Sequence, residues 1–197
     1  MKDPICQECR TWHESQDPTG WLMSEKYDGI CMVRPAGQRR VFSREGIQFN
    51  APDFWLDQLP QNIFLHGEAW HGYGFFRLTQ KCLQTPEPNE HLWSIMDLRL
   101  IHPQLPTPAS GARIGVAFPI EQTVCLGRKH LKFFLEIVRY NRGEGVVLRH
   151  RKQPYHLGRS PYLLKIAPTQ KELNAMRMPL SECLRRVGLK ASTSPGL

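Results

Sequence analysis

At 197 residues, with hydrophobic side chains making up 41% of the chain, the sequence is long enough for one good-sized core and reads as globular. No apolar run approaches the length a bilayer span needs, and Met1-Lys-Asp-Pro-Ile-Cys6 lacks the apolar centre of a signal peptide, so the reading is of an intracellular chain with no membrane partner. The 26 Lys and Arg against 18 Asp and Glu give a net charge of +8, a surplus that favours a polyanionic partner because each neutralised phosphate releases condensed counterions.

Residues 1–17 are polar and read as a loose lead-in. Within them Cys6-Gln-Glu-Cys9 followed by His13 offers half of a zinc site, though no second C-x-x-C or H-x-x-x-H completes it. The six cysteines show no paired framework, and reduced thiols are the default in a chain without an export signal. Trp21 to Gly29 is an apolar lead-in that ends in Lys26-Tyr-Asp-Gly29, a strand running to a loop, with Gly29 expected to let the backbone pass close to a ligand. This places an amine at the mouth of a pocket. Lysine is protonated at its ordinary pKa, but burial or a neighbouring cation can free its lone pair for attack on phosphorus or a carbonyl carbon. Taken alone, Lys26 and Asp28 would also fit a surface pair.

Ile30 to Val33 and Arg40 to Phe42, joined through Pro35-Ala-Gly37, predict a hairpin, and Arg44 follows on a loop where its guanidinium suits a phosphate. A short helix is predicted over 51–59. Residues 63–70 predict a buried strand carrying the acid Glu68 beside Gly67, and a helix is predicted from Phe75 to Leu83. Leu92 to Leu98 reads as a strand with Asp97 inside it, and Ile101 to Ala112, with three prolines, as an extended loop. Residues 128–139 set Leu131, Phe134, Leu135 and Val138 on one face of an amphipathic helix. The gly-flanked Glu144 then enters an apolar strand that ends in Arg149-His-Arg151-Lys152, and Tyr155 to Ile166 carries Arg159 and Lys165 on another. Strand after strand ends on one charged group, as in a shared pocket.

Read together, Glu25-Lys-Tyr-Asp-Gly29, Ser43-Arg-Glu-Gly46, His66-Gly-Glu68, Met96-Asp97, Glu144-Gly-Val-Val-Leu-Arg149 and Leu163-Leu-Lys165 resemble, in order and spacing, the nucleotidyltransferase motifs of ATP-dependent DNA ligases, nearest to the small bacterial ligases of minimal architecture. The likeness spans residues 18–168. It implies an α+β nucleotidyltransferase (ATP-grasp-like) fold, with two antiparallel sheets and flanking helices around a nucleotide pocket. It also implies the chemistry: Lys26 would attack the α-phosphate of ATP, hold AMP and pass it to the 5′-phosphate of nicked duplex DNA. By the same resemblance Glu25, Arg44, Glu68, Met96 and Lys165 would hold the nucleotide, Glu144 would bind Mg²⁺ or Mn²⁺, and Arg159 with Arg149, Arg151 and Lys152 would face DNA.

Three positions depart from the family pattern. Cys31 stands where a second arginine is usual, Met96 where an aromatic packs on adenine, and Ala167 where a second lysine closes the last motif. Residues 169–197 read as a short tail of one or two helices split by Pro179, too short for the oligonucleotide-binding barrel that follows in such ligases. The implied alternatives are a separate protein that clamps the DNA, a non-catalytic nucleotide- or DNA-binding relic, or RNA ligation or capping, which share the lysine chemistry.

Overall fold

Alternation along the strands sorts the apolar side chains onto outward faces and leaves the charged ones to face each other across a cleft. The computed structural model describes residues 4–101 and 115–190. Its first sheet has the order β1-β11-β10-β2-β9, formed by β1 (Gln7–Thr11), β2 (Leu22–Lys26), β9 (Thr123–Val124), β10 (Gly145–Arg149) and β11 (Gly158–Ile166). The second has the order β5-β4-β3-β6-β7-β8, formed by β3 (Ile30–Arg34), β4 (Val41–Phe42), β5 (Gln48–Phe49), β6 (Leu65–Trp70), β7 (Asp97–Leu100) and β8 (Ala117–Pro119).

On the first sheet Met23, Val146, Leu148 and Leu164 pack against α4 (Arg128–Tyr140), which turns Leu131, Phe134, Leu135 and Val138 inward, the face expected from their spacing. On the second, Met32, Leu65, Ala69, Leu98 and Leu100 share a larger core with α1 (Asp53–Leu56), α2 (Phe76–Gln84) and α3 (Glu90–Ser94). Trp55 and Trp93 meet there edge to face at 5.0 Å. Each fully buried side chain of this kind stabilises the fold by roughly 1.5–3 kcal/mol relative to leaving it in water. The opposite faces of both sheets, one carrying Lys26, Val147, Arg149 and Lys165 and the other Cys31, His66 and Glu68, line the cleft.

Four sequence expectations are corrected. The sheets are mixed rather than purely antiparallel, because β1 runs parallel to β11 and β7 parallel to β8. The expected lead-in contributes β1, which adds an edge strand to the first sheet. Residues 92–94 are helical: the Asn89 side chain caps α3 by accepting from the Leu92 amide at 3.0 Å, so Leu92 and Trp93 enter the core from a helix and the strand starts only at Asp97. A short apolar run carries too little periodicity to tell the two apart. Finally, the close approach that Gly29 permits is to protein, since a Cβ there would strike the Ala69 carbonyl oxygen of β6. The loop expected over 101–112 lies, beyond Ile101, outside the described residues.

The tail forms α5 (Gln170–Met176), opened by a Thr169–Glu172 capping box, and α6 (Leu180–Arg186), opened by Pro179. Both lie against the body of the protein, with Leu173 and Cys183 buried and Leu180, Leu184 and Val187 packed on the larger core. No helix among the described residues is long and apolar enough to cross a membrane.

Candidate active site

Lys26 is the last residue of β2, and antiparallel pairing sets it opposite Gly145, the first of β10. A side chain at 145 would collide with the Ile166 carbonyl oxygen, so glycine lets β10 close against β11 and brings Glu144 beside the amine. Lys26 Nζ donates to Glu144 Oε2 at 2.5 Å, with the two side chains 22% and 8% exposed. From the second sheet Glu68, on β6 opposite Cys31 of β3, adds its charge to the same amine. Burial works against the lysine charge, but Glu68 and Glu144 outweigh it and hold Lys26 above the ordinary lysine pKa. Burial pushes Glu68 up to about 7, with Lys26 opposing the shift and Glu144 adding to it; Glu144 is raised by burial as well, against the pull of Lys26. One ammonium thus serves two carboxylates, and in this state it has no free lone pair.

Arg44 on the loop after β4, Lys165 on β11 and Arg159 at the start of β11 line the same cleft. The Arg159 side chain is 78% exposed, its Nε 4.0 Å from Glu8 Oε2. Glu25 reaches the cleft edge, where its Oε2 accepts from the Tyr73 hydroxyl at 3.1 Å and its buried Oε1 has no partner among the described residues. Burial raises its pKa against the influence of Tyr73 and Arg99. Arg151 and Lys152 are exposed on the turn after β10.

Two of the expected site residues stand elsewhere. Met96 is buried in the larger core, between α3 and β7, and does not line the cleft; its carbonyl accepts from Trp55 Nε1 at 3.2 Å. Arg149 is separated from Arg151 and Lys152: the alternation of β10 turns it into the cleft, where it donates to Gln7 Oε1 at 3.1 Å and to the Ile101 carbonyl at 3.0 Å. Asp97, whose place in an apolar run fits either a site or a buried network, is paired with Arg99 at 2.8 Å, and the Arg99 guanidinium lies 4.6 Å from each of the Trp70 and Phe118 rings.

Two arrangements were not legible in the sequence. Arg177, which ends α5, donates from Nε and Nη2 to both oxygens of Asp28 at 2.9 and 2.6 Å while stacking over Phe76, so the tail grips the loop that follows Lys26. Cys6 also parts from Cys9 and His13. Its Sγ lies 3.8 Å from Cys31 Sγ, and Cys31 Sγ lies 3.5 Å from His66 Nε2. The expected C-x-x-C half-site is therefore not what forms; the hint was present in Cys31 and His66 themselves, but only strand pairing could join them to Cys6.

No family model matches the chain. It is 26% identical over 175 residues to a DNA ligase of Haemophilus influenzae, covering 81% of this chain and spanning 62% of the length of that relative. Among solved structures it is similar to a Lig E DNA ligase, at TM-score 0.70 and 23% identity over 85% of this chain and 70% of that one. It is similar also to the Chlorella virus DNA ligase-adenylate, at 0.62 and 16% over 84% and 69%, and to the ATP-dependent DNA ligase of bacteriophage T7 in complex with ATP, at 0.62 and 14% over 83% and 68%. A cleft between two mixed sheets, with Lys26 at its centre, is in this chain the nucleotidyltransferase fold of the ATP-dependent DNA ligases, the family its sequence resembles.

Proposed function

We propose that this chain is the adenylating unit of an ATP-dependent DNA ligase. The observation that carries the reading is Lys26 held against Glu144 and under the charge of Glu68 inside a cleft that also gathers Arg44, Lys165 and Arg159. In the first step the Lys26 proton leaves toward Glu144, its existing acceptor, and the nitrogen lone pair attacks the α-phosphorus of ATP. A P–N bond forms and the P–O bond to pyrophosphate breaks. Arg44 and Lys165 lie where they can balance the charge on the phosphoryl oxygens. In the second step a 5′-phosphate oxygen of nicked DNA takes the AMP and returns the lysine; in the third the 3′-hydroxyl displaces AMP and seals the strand.

Two carboxylates sharing one ammonium fit the donor set of Mg²⁺ or Mn²⁺, which is held through one or two carboxylates and substrate phosphates. Such an ion would neutralise Glu144 and phosphate oxygens, loosening the hold of the carboxylates on the Lys26 proton. Arg159, Arg151 and Lys152 are the exposed cations for the DNA backbone, and a separate protein would supply the rest of the clamp. Incubation with α-labelled ATP and Mg²⁺ or Mn²⁺ tests the reading: an acid-labile, alkali-stable AMP adduct on the wild type, absent from Lys26→Arg, supports it, and a wild type that stays unlabelled with both metals overturns it.

One observation favours a weaker alternative, a binding protein that does not seal nicks. Cys31, at the usual place of an arginine, is engaged with Cys6 and His66, and Ala167 offers no cation beyond Lys165.

A further inference from the structure

We propose that Cys6, Cys31 and His66 bind one thiophilic divalent cation, Zn²⁺ by chemistry, on the wall of the cleft. Bonds of about 2.3 Å to sulfur and about 2.0–2.1 Å to imidazole nitrogen, at tetrahedral angles, separate two sulfur ligands by about 3.8 Å and a sulfur from a nitrogen by about 3.5–3.6 Å. The observed separations are 3.8 Å for Cys6 Sγ to Cys31 Sγ and 3.5 Å for Cys31 Sγ to His66 Nε2, and all three ligand atoms lie within 4.8 Å of one another. The spacing matches ligands around an ion more closely than a disulfide, whose sulfurs must approach to about 2.0 Å.

The three positions are fixed by backbone and not by chance contact. Cys31 and His66 sit on paired strands, β3 and β6, and the Cys6 carbonyl accepts from the Gly158 amide at 2.8 Å. The residues are 1%, 8% and 3% exposed. Tyr155 completes the arrangement: its hydroxyl lies 2.9 Å from His66 Nδ1 and accepts from the Gln7 amide at 2.9 Å. With Nδ1–H donating to that oxygen, Nε2 keeps its lone pair on the side of Cys31, the orientation an outer hydrogen bond imposes on a metal-binding histidine. Binding releases the two thiol protons to solvent, so Zn²⁺ and two thiolates sum to zero charge and the buried site carries no uncompensated ion. All three residues line the cleft, which leaves the fourth position for a water or ligand oxygen from that side.

The test is metal binding by the reduced full chain, with no nucleotide present, so its outcome is independent of the ligase reading. Titration with Co²⁺ should give one equivalent per chain, thiolate-to-metal charge transfer and the strong d–d bands of tetrahedral cobalt, all bleached by Zn²⁺. Cys31→Ser should lose most of the charge-transfer intensity, and Tyr155→Phe, with all three ligands intact, should weaken affinity by roughly 10- to 100-fold. Cys9→Ser should bind as wild type, and circular dichroism of each variant confirms that it is folded. The proposal is overturned if reduced wild type shows no tetrahedral cobalt spectrum, if Cys9→Ser abolishes binding while Cys31→Ser keeps it, or if air oxidation gives a Cys6–Cys31 disulfide in a chain that takes no metal when reduced.

Discussion

Lys26 is held in a state that suppresses its own chemistry: the carboxylates that fix its position also keep its proton. Substitution separates the two roles. Lys26→Arg keeps a cation between Glu68 and Glu144 and should leave the melting temperature within a few degrees of wild type while abolishing the AMP adduct in intact-mass measurement. Glu144→Ala removes the direct acceptor of Lys26 and, under the ligase reading, a metal-binding oxygen with it, so the Mg²⁺ concentration for half-maximal labelling should rise at least tenfold; unchanged metal dependence would assign Glu144 to holding Lys26 alone. Glu68 carries a pH signature. Its folded pKa, raised to about 7, lies above the ordinary glutamate value, so its contribution to stability is fullest below that ordinary value and is lost as pH rises through about 7. The melting temperature of Glu68→Gln minus that of wild type should therefore increase from pH 5 to pH 7 and level off above it. A difference independent of pH would show that the Glu68 carboxyl ionises freely.

Among the elements, the two tail helices act on the site without supplying a group to it. Asp28 follows Lys26 by two residues and accepts from Arg177 at the end of α5, a bidentate pair with side chains 16% and 10% exposed. Removing one member of a largely buried pair leaves the other charge uncompensated. Arg177→Ala is expected to cost about 3 kcal/mol, which for a chain of this size lowers the melting temperature by roughly 6–12 °C. Arg177→Lys should recover only part of it, since an ammonium cannot donate the fork that meets both Asp28 oxygens. Equal melting temperatures for wild type and Arg177→Ala would show that the tail docks through its apolar face, Leu180, Leu184 and Val187, alone.

For the whole molecule the governing quantity is charge. Under the ligase reading, a net +8 with Arg159, Arg151 and Lys152 exposed predicts DNA binding that weakens steeply as salt rises. Replacing Arg151 and Lys152 together by Ala should lower the slope of log affinity against log salt by about 1 to 2 and leave self-adenylation unchanged, whereas an unaltered slope would place the DNA on another face. Ala167 follows β11 two residues after Lys165, next to the strand end that Gly145 packs against. Ala167→Lys should raise the rate of labelling, by about tenfold for each 1.4 kcal/mol of added stabilisation in the transition state.

The sequence by itself determined the elements whose signals are local. The period of Leu131, Phe134, Leu135 and Val138 fixed α4, Pro35 and Gly37 fixed the hairpin of β3 and β4, and Pro179 separated α5 from α6. Lys26, Arg44, Glu68 and Lys165, singled out in that order along the chain, all line the cleft, and Glu144 meets Lys26 at 2.5 Å, because alternation along the strands leaves one direction for each side chain. Tertiary structure decided what depends on partners distant in the chain. Whether residues 7–11 are a lead-in or a strand depends on β11, whose Gly158 pairs with Gln7 and Lys165 with Thr11, and whether Met96 meets a purine or the core depends on α3, whose cap turned an apolar run into a helix. Arg149 reads like its neighbours Arg151 and Lys152, yet one step along a pleated strand reverses the face it occupies. Cys6, Cys31 and His66 are separated by 25 and 35 residues and follow no spacing rule; only the pairing of β3 with β6 and the path of the chain into β1 bring two sulfurs and a nitrogen to the separations an ion would set.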